Sequence, residues 1–231
     1  MASSTRLHYQ AELAELEERC LGGIDLVVTS LDRILEAVAT QDVELAAIVV
    51  ADDDRIDGRF LEVHQSMLTM LATQAPVATD LRLIAALLHV MKCIERMGDQ
   101  CVNIAKLIPL SDAGSQDQRL IDNIAAMGGQ VRSLCLQSRR AFAERDLELA
   151  RDLVRQDDLV DRLNREVFGL ALEFGDSLQR REWAMTMLLA CRALERIGDN
   201  AVDIGEQLGF LVTGKLREFE DASHPRAPAE R

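Results

Sequence analysis

Residues 95–104 read Glu95-Arg96-Met97-Gly98-Asp99-Gln100-Cys101-Val102-Asn103-Ile104, and they return as Glu195-Arg196-Ile197-Gly198-Asp199-Asn200-Ala201-Val202-Asp203-Ile204. An upstream block repeats in the same order. Asp42-Val43-Glu44-Leu45-Ala46 opens a segment ending Asp53-Asp54-Arg55-Ile56-Asp57. Asp146-Leu147-Glu148-Leu149-Ala150 opens one ending Asp157-Asp158-Leu159-Val160-Asp161. The offset is 104 residues upstream and 100 downstream, so the connections between the blocks differ by four residues. Two ordered matches at nearly one offset mark a duplicated unit.

Each unit reads as three helices. In the first copy Leu13, Leu16, Cys20, Ile24, Val27, Leu31 and Leu35 recur at helical spacing, which predicts a helix over about Leu7 to Val38. Asp42 and its counterpart Asp146 are suited to cap the second helix. That helix runs to about Thr73, where Ala75-Pro76 interrupts it, because proline lacks the amide donor and restricts its predecessor. Thr79 or Asp80 is expected to cap the third helix, which runs to about Ile108. In the second copy the breaks fall near Glu144-Arg145-Asp146 and near Gly175-Asp176. The fold class is therefore all-α, with two tandem three-helix bundles related by internal duplication. They are expected over residues 1–110 and 116–215, with a linker at 111–115 and a polar tail over 216–231, of which Ser223 to Arg231 is expected to be disordered. Periodicity leaves open whether the bundles stack end to end or lie side by side.

Composition narrows the function classes. Nearly half of the residues are apolar, yet Trp and Tyr occur once each and Phe six times, so aliphatic side chains and Met must fill the core. The net charge of −13 argues against binding nucleic acid or an anionic membrane surface, both of which draw on Lys and Arg. It suits a cation site or a basic protein partner. Cys20, Cys93, Cys101, Cys135 and Cys191 form no CxxC pair, which argues against a disulfide framework or a structural zinc cluster and for buried thiols in a reducing compartment. No signal peptide and no membrane span are expected.

The repeated blocks carry paired carboxylates. Residues four apart share a helix face. Glu95 and Asp99 stand together, as do Glu195 and Asp199, with Asn103 and Asp203 one turn further on. On the second helix of each copy Asp53 pairs with Asp57, and Asp157 with Asp161. These pairs fall beside the apolar stripes Ile56, Phe60, Val63, Met67, Met70 and Ile84, Leu87, Met91, Ile94, Met97, Cys101, Val102, Ile104, so antiparallel neighbours would bring four carboxylates together in each copy. Clustered carboxylates repel, and a multivalent cation relieves them. Oxygen donors without thiols suit Fe³⁺, Mn²⁺, Mg²⁺ or Zn²⁺. The alternative is a solvated acidic face. Gly98 and Gly198 recur inside the motif despite a cost of ~1 kcal/mol in a helix interior, which suggests close approach of a neighbouring helix or access for the cation. His64 is not duplicated, having Phe168 as its counterpart, and His89 has no carboxylate partner visible in the sequence. Arg139-Arg140 and Arg180-Arg181 read as solvated helix ends.

The chain resembles the PhoU family from about Leu7 to Lys215, above all in Pro76-Val77-Ala78-Thr79-Asp80-Leu81-Arg82-Leu83-Ile84 and in the two copies of Glu-Arg-x-Gly-Asp at 95–99 and 195–199. The resemblance implies a non-enzymatic, cytoplasmic regulator of phosphate uptake that represses the phosphate-starvation response. It also implies contacts with a phosphate-sensing histidine kinase and the ATPase of a phosphate ABC transporter, and a homodimer is expected. Some members of the family hold multinuclear iron or zinc on these motifs. On that resemblance Asp53, Asp57, Glu95 and Asp99 would form one site, with Asn103 beside it, and Asp157, Asp161, Glu195, Asp199 and Asp203 the other. Two other readings compete. One is a metal-free helical scaffold. The other is a di-metal carboxylate oxidase, which calls for Glu-x-x-His motifs that the sequence lacks.

Overall fold

Two left-handed residues and two aspartates start the second helix of each copy in the same way. Gln41 and Arg145 both adopt φ 57°. Behind them the amides of Asp42 and Asp146 donate to the carbonyls of Ala37 and Ala141, each at 3.0 Å. Asp42 then accepts from the Leu45 amide, and Asp146 from the amides of Glu148 and Leu149, so each aspartate satisfies first-turn donors that a helix leaves open. The duplication is thus written in the backbone as well as in the side chains.

The computed structural model describes residues 2–110, 116–173 and 177–219. The first repeat consists of α1 (Ala2–Thr40), α2 (Val43–Asp52), α3 (Asp54–Gln74) and α4 (Ala78–Leu107), followed by a 3-10 turn at Ile108–Leu110. The second consists of α5 (Gln118–Glu144), α6 (Leu147–Leu172) and α7 (Leu178–Thr213). Helices α2 and α3 together occupy the place of α6. Asp53 lies between them with helical dihedrals (φ −61°, ψ −33°), and the Ile56 and Asp57 amides both turn to its carbonyl. The three-helix reading of each repeat therefore holds, with a local interruption at Asp53 that the second copy lacks. The expected linker at 111–115, the break at Gly175-Asp176 and the tail from Ser223 to Arg231 lie outside the described residues.

The start of α4 differs from the sequence expectation. Neither Thr79 nor Asp80 caps α4, because Val77 stands at that position and makes no side-chain cap. The chain turns through Ala75 in the left-handed region (φ 44°), so α4 begins directly after Pro76-Val77. Asp80 then falls inside the first turn, where its charge meets the helix dipole.

The bundles lie side by side. Helix α4 packs along α7, and α1 along α5. A single apolar cluster runs through both repeats, from Leu13 on α1 to Leu211 on α7, and Phe142 and Trp183 are its fully buried aromatic members among aliphatic, Met and Cys side chains. All five cysteines are buried free thiols. Arg139 is no solvated helix end. Its guanidinium reaches back to Asp25 at 3.1 Å and to Glu18 at 2.9 Å on α1. Arg132 pairs with Asp32 at 2.8 Å, and Arg145 holds both oxygens of Glu17 at 2.6 Å.

Gly128 on α5 sets how close that contact is. A Cβ there would stand 2.2 Å from Leu35 Cδ2 and 2.9 Å from Leu35 Cγ on α1. Replacing it overpacks the seam between the repeats. Gly128→Leu is expected to cost about 1–3 kcal/mol, read as a lower urea midpoint with an unchanged slope. Leu35→Ala in the same chain should return part of that loss. A midpoint equal to the parent's would mean that α1 and α5 stand further apart in solution.

Candidate metal centre

The third helices present their acidic residues identically. Over 91–100 and 191–200 the sequence of buried, half-buried and exposed positions is the same, residue for residue. Gly98 and Gly198 are buried, Glu95 and Glu195 half-buried, and Asp99 and Asp199 outermost. The two glycines let the aspartate of the facing helix lie flat against the motif. A Cβ on Gly98 would sit 3.1 Å from Asp53 Oδ1 and 2.9 Å from Ile56 Cδ1. One on Gly198 would sit 2.8 Å from Asp157 Oδ1. The first aspartate of each DxxxD pair is thereby seated beside the ExxxD pair, as the spacing anticipated.

The crowding registers as electrostatics. Partial burial, followed by the charges of Asp57, Asp99 and Asp54, pushes the Asp53 carboxyl up to about 6, against a smaller opposing pull from Lys106. Asp99 is also raised, by lost solvation and then by Glu95 and Asp57. In the second copy Asp199 is raised by lost solvation, with Asp161 and Asp203 adding to it and Arg192 and Arg196 opposing. Each motif glutamate already has a cation one turn before it. Lys92 Nζ donates to Glu95 at 2.5 Å, and Arg192 is ion-paired with Glu195. A metal ion on these faces would have to compete with those pairs. The quartets form open acidic faces, since no three of their carboxylates have donor atoms within 4.8 Å of one another.

The residues one turn further on separate. Asn103 is exposed, and its amide donates to Gln100 Oε1 at 3.5 Å. Asp203 is half-buried and lies against α4, where its carboxylate, an imidazole nitrogen of His89 and the Cys93 sulfur all lie within 4.8 Å of one another. Among the described residues this is the one group of three potential ligands so close together. From the sequence, His89 has no visible carboxylate partner and Cys93 counts only as one of five buried thiols. Their four-residue spacing on one helix face was the available signal, but their third partner belongs to the other repeat. Burial pushes the Cys93 thiol up to about 12, with Asp203 and Glu206 adding to the shift and Arg96 opposing it. Asp203 is raised by burial, with His89 and Arg96 opposing.

Comparison with known proteins matches the PhoU domain twice, at residues 24–108 and 124–208. The phosphate-specific transport system accessory protein PhoU homolog of Clostridium acetobutylicum is 31% identical over 219 residues, 94% of this chain and 100% of that protein. The homolog of Caulobacter vibrioides is 32% identical over 218 residues, 93% of this chain and 94% of its own. The crystal structure of PhoU from Pseudomonas aeruginosa superposes with a TM-score of 0.81 at 28% identity, over 90% of this chain and 100% of that one. That of the phosphate transport system regulatory protein PhoU from Streptococcus pneumoniae gives 0.81 at 26% identity, over 90% and 99%.

The raised carboxyl at Asp53 has a sign that can be tested. Its folded value of about 6 stands above the ordinary aspartate value of 3.8. Between those values the folded chain holds the proton more tightly than the unfolded chain does, so this group's stabilising effect is lost as pH rises through 6. In the presence of a chelator, Asp53→Asn is expected to gain melting temperature over the parent at pH 7 and to show less gain at pH 5. Equal differences at the two pH values would mean that Asp53 titrates like an ordinary carboxylate.

Proposed function

This chain belongs to the PhoU family, and from that we propose that it is a non-enzymatic regulator of phosphate transport which holds metal on its duplicated acidic faces. The match of both repeats to the PhoU domain carries the reading. The accessory and regulatory names borne by relatives that align with more than nine-tenths of the chain support it. In this reading the protein works in the cytoplasm as a negative regulator of the phosphate-starvation response. It touches a phosphate-sensing histidine kinase and the ATPase of a phosphate ABC transporter, and it acts as a homodimer. No helix among the described residues is long and apolar enough to cross a membrane. The second repeat leaves two apolar pairs at i,i+4 spacing in solvent, Phe168 with Leu172 and Met185 with Leu189, each more than half exposed, which suits a protein that acts by docking.

Iron or zinc is the proposed ion. Asp53, Asp57, Glu95 and Asp99 would hold it in the first repeat, and Asp157, Asp161, Glu195 and Asp199 in the second. The raised Asp53 carboxyl is consistent with this, because burial comes first among its causes and the charges of Asp57, Asp99 and Asp54 second, and a bound cation would offset both. Bound metal would neutralise the acidic face and change the surface offered to a partner. A di-metal oxidase finds no support, as Glu-x-x-His is absent from the sequence. A metal-free scaffold is the remaining alternative.

Two measurements test the proposal. Protein purified without chelator should carry iron or zinc, and Asp99→Ala with Asp199→Ala in one chain should remove most of it. Unchanged stoichiometry would refute the acidic faces as the site. A pull-down from phosphate-replete cells should recover the kinase or the transporter ATPase, with recovery falling as salt rises. Recovery of neither, together with intact repression of starvation genes in a deletion strain, would refute the regulatory role.

A further inference from the structure

We propose that His89, Cys93 and Asp203 form a second kind of metal site, one per chain, which binds a zinc-like divalent ion and clamps the two repeats together. It is distinct from the acidic faces in donor chemistry, in location and in number, and it does not rest on the regulatory reading.

Three observations carry it. First, the donors converge. An imidazole nitrogen, a thiol sulfur and a carboxylate oxygen lie within 4.8 Å of one another. A tetrahedral ion with bonds of about 2.0–2.3 Å sets its donors about 3.5 Å apart, so side-chain rotation of about an ångström closes the site. His89 and Cys93 stand at i,i+4 on α4, which aims both at one point, and Asp203 answers from α7.

Second, the donor set is selective. Mixed nitrogen, sulfur and oxygen ligands favour zinc and its neighbours over magnesium or calcium. The ion would join one neutral imidazole, one thiolate and one carboxylate, so the first shell is neutral overall. The Cys93 proton leaves to solvent as the Zn–S bond forms. Glu206, one turn beyond Asp203, faces the same region with one oxygen accepting from the Phe219 amide at 2.7 Å. A water would complete the tetrahedron at the fourth position. Arg96 is the competing cation at this point, with its charge acting on both Cys93 and Asp203. It is exposed and free to swing away when an ion arrives.

Third, the duplication supplies an internal control. The equivalent positions in the other copy are Leu189, Ala193 and Asn103. None of these is a usual metal ligand. Three donors are present together in one place and three non-ligands together in the other, although the flanking motif is otherwise kept. Drift at three unrelated positions would not be expected to sort them this way.

Cobalt separates this site from the acidic faces, because only a thiolate gives a sulfur-to-cobalt charge-transfer band in the near ultraviolet. The full chain, stripped with chelator and dialysed, is titrated with Co²⁺. The expected result is such a band that saturates at one equivalent and is displaced by Zn²⁺. It should survive Asp99→Ala/Asp199→Ala and disappear in Cys93→Ala. His89→Leu and Asp203→Asn should each weaken binding by more than about tenfold, the loss that even an outer-shell change can bring. Each substitution installs the residue that the other repeat carries, and His89 is exposed, so the fold is expected to persist, with circular dichroism as the check. Absence of the band in the parent chain, or its persistence in Cys93→Ala, would overturn the proposal.

Discussion

The packing of α4 against α7 is the contact on which the rest of the molecule depends. These are the two copies of the same helix, and each must satisfy its own bundle on one side and its twin on the other. Helix α4 is accordingly buried around most of its circumference, with Leu83, Ile84, Ala86, Leu87, Val90, Met91, Cys93, Ile94, Met97 and Gly98 all inside over four turns. A helix buried on two faces keeps only a narrow polar strip. Glu95 and Asp99 occupy that strip, and the strip runs along the seam with α3. The carboxylates are crowded because the apolar demand of the inter-repeat contact leaves them nowhere else on the helix.

The same constraint explains where compensating charge is found. At the other contact between the repeats, guanidinium groups lie on α5 and its cap, at Arg132, Arg139 and Arg145. The carboxylates lie on α1, at Glu17, Glu18, Asp25 and Asp32. Exposed pairs of this kind contribute little each, about 0–1 kcal/mol, but four acids facing three arginines along one line fix the register of two long rods. On the acidic strips of α4 and α7, Lys92 and Arg192 are bound to the motif glutamates, while Lys106 and Arg196 act on the aspartates through their charge. Asp53, Asp99 and Asp199 are raised first by burial, with neighbouring carboxylates adding to the shift. Repulsion between like charges is tolerable in a fold with a large aliphatic core, and it is the physical opening for a cation.

Most of the architecture was legible in the sequence because it depends on local rules repeated twice. Periodicity located the helices, Asp42 and Asp146 announced their caps, and the recurrence of Gly98 and Gly198 foretold a close approach that the Asp53 and Asp157 carboxylates make. The start of α4 was misplaced because a left-handed Ala75 is a tertiary accommodation that no propensity encodes. The side-by-side arrangement was not legible, because helical periodicity locates apolar faces without saying which helix of the other repeat covers them. The role open to Arg139 stayed hidden because its partners are more than a hundred residues away.

The cluster of His89, Cys93 and Asp203 was hidden for the same reason, and duplication explains why it can exist at all. When a unit is copied and the copies pack through equivalent helices, every position on the shared face occurs twice, once in each copy. Residues that serve each repeat alone are held by the same requirement in both copies, which is why the burial patterns of 91–100 and 191–200 coincide. Residues that serve the contact between repeats are under no such bond, because one member of a pair can specialise while the other relaxes. Asp203 against Asn103, His89 against Leu189 and Cys93 against Ala193 are three such divergences, and the three donors gather between α4 and α7. Chemistry that needs unlike ligands cannot arise on a face that remains symmetric, so the place where the copies differ is where a mixed-ligand site can form.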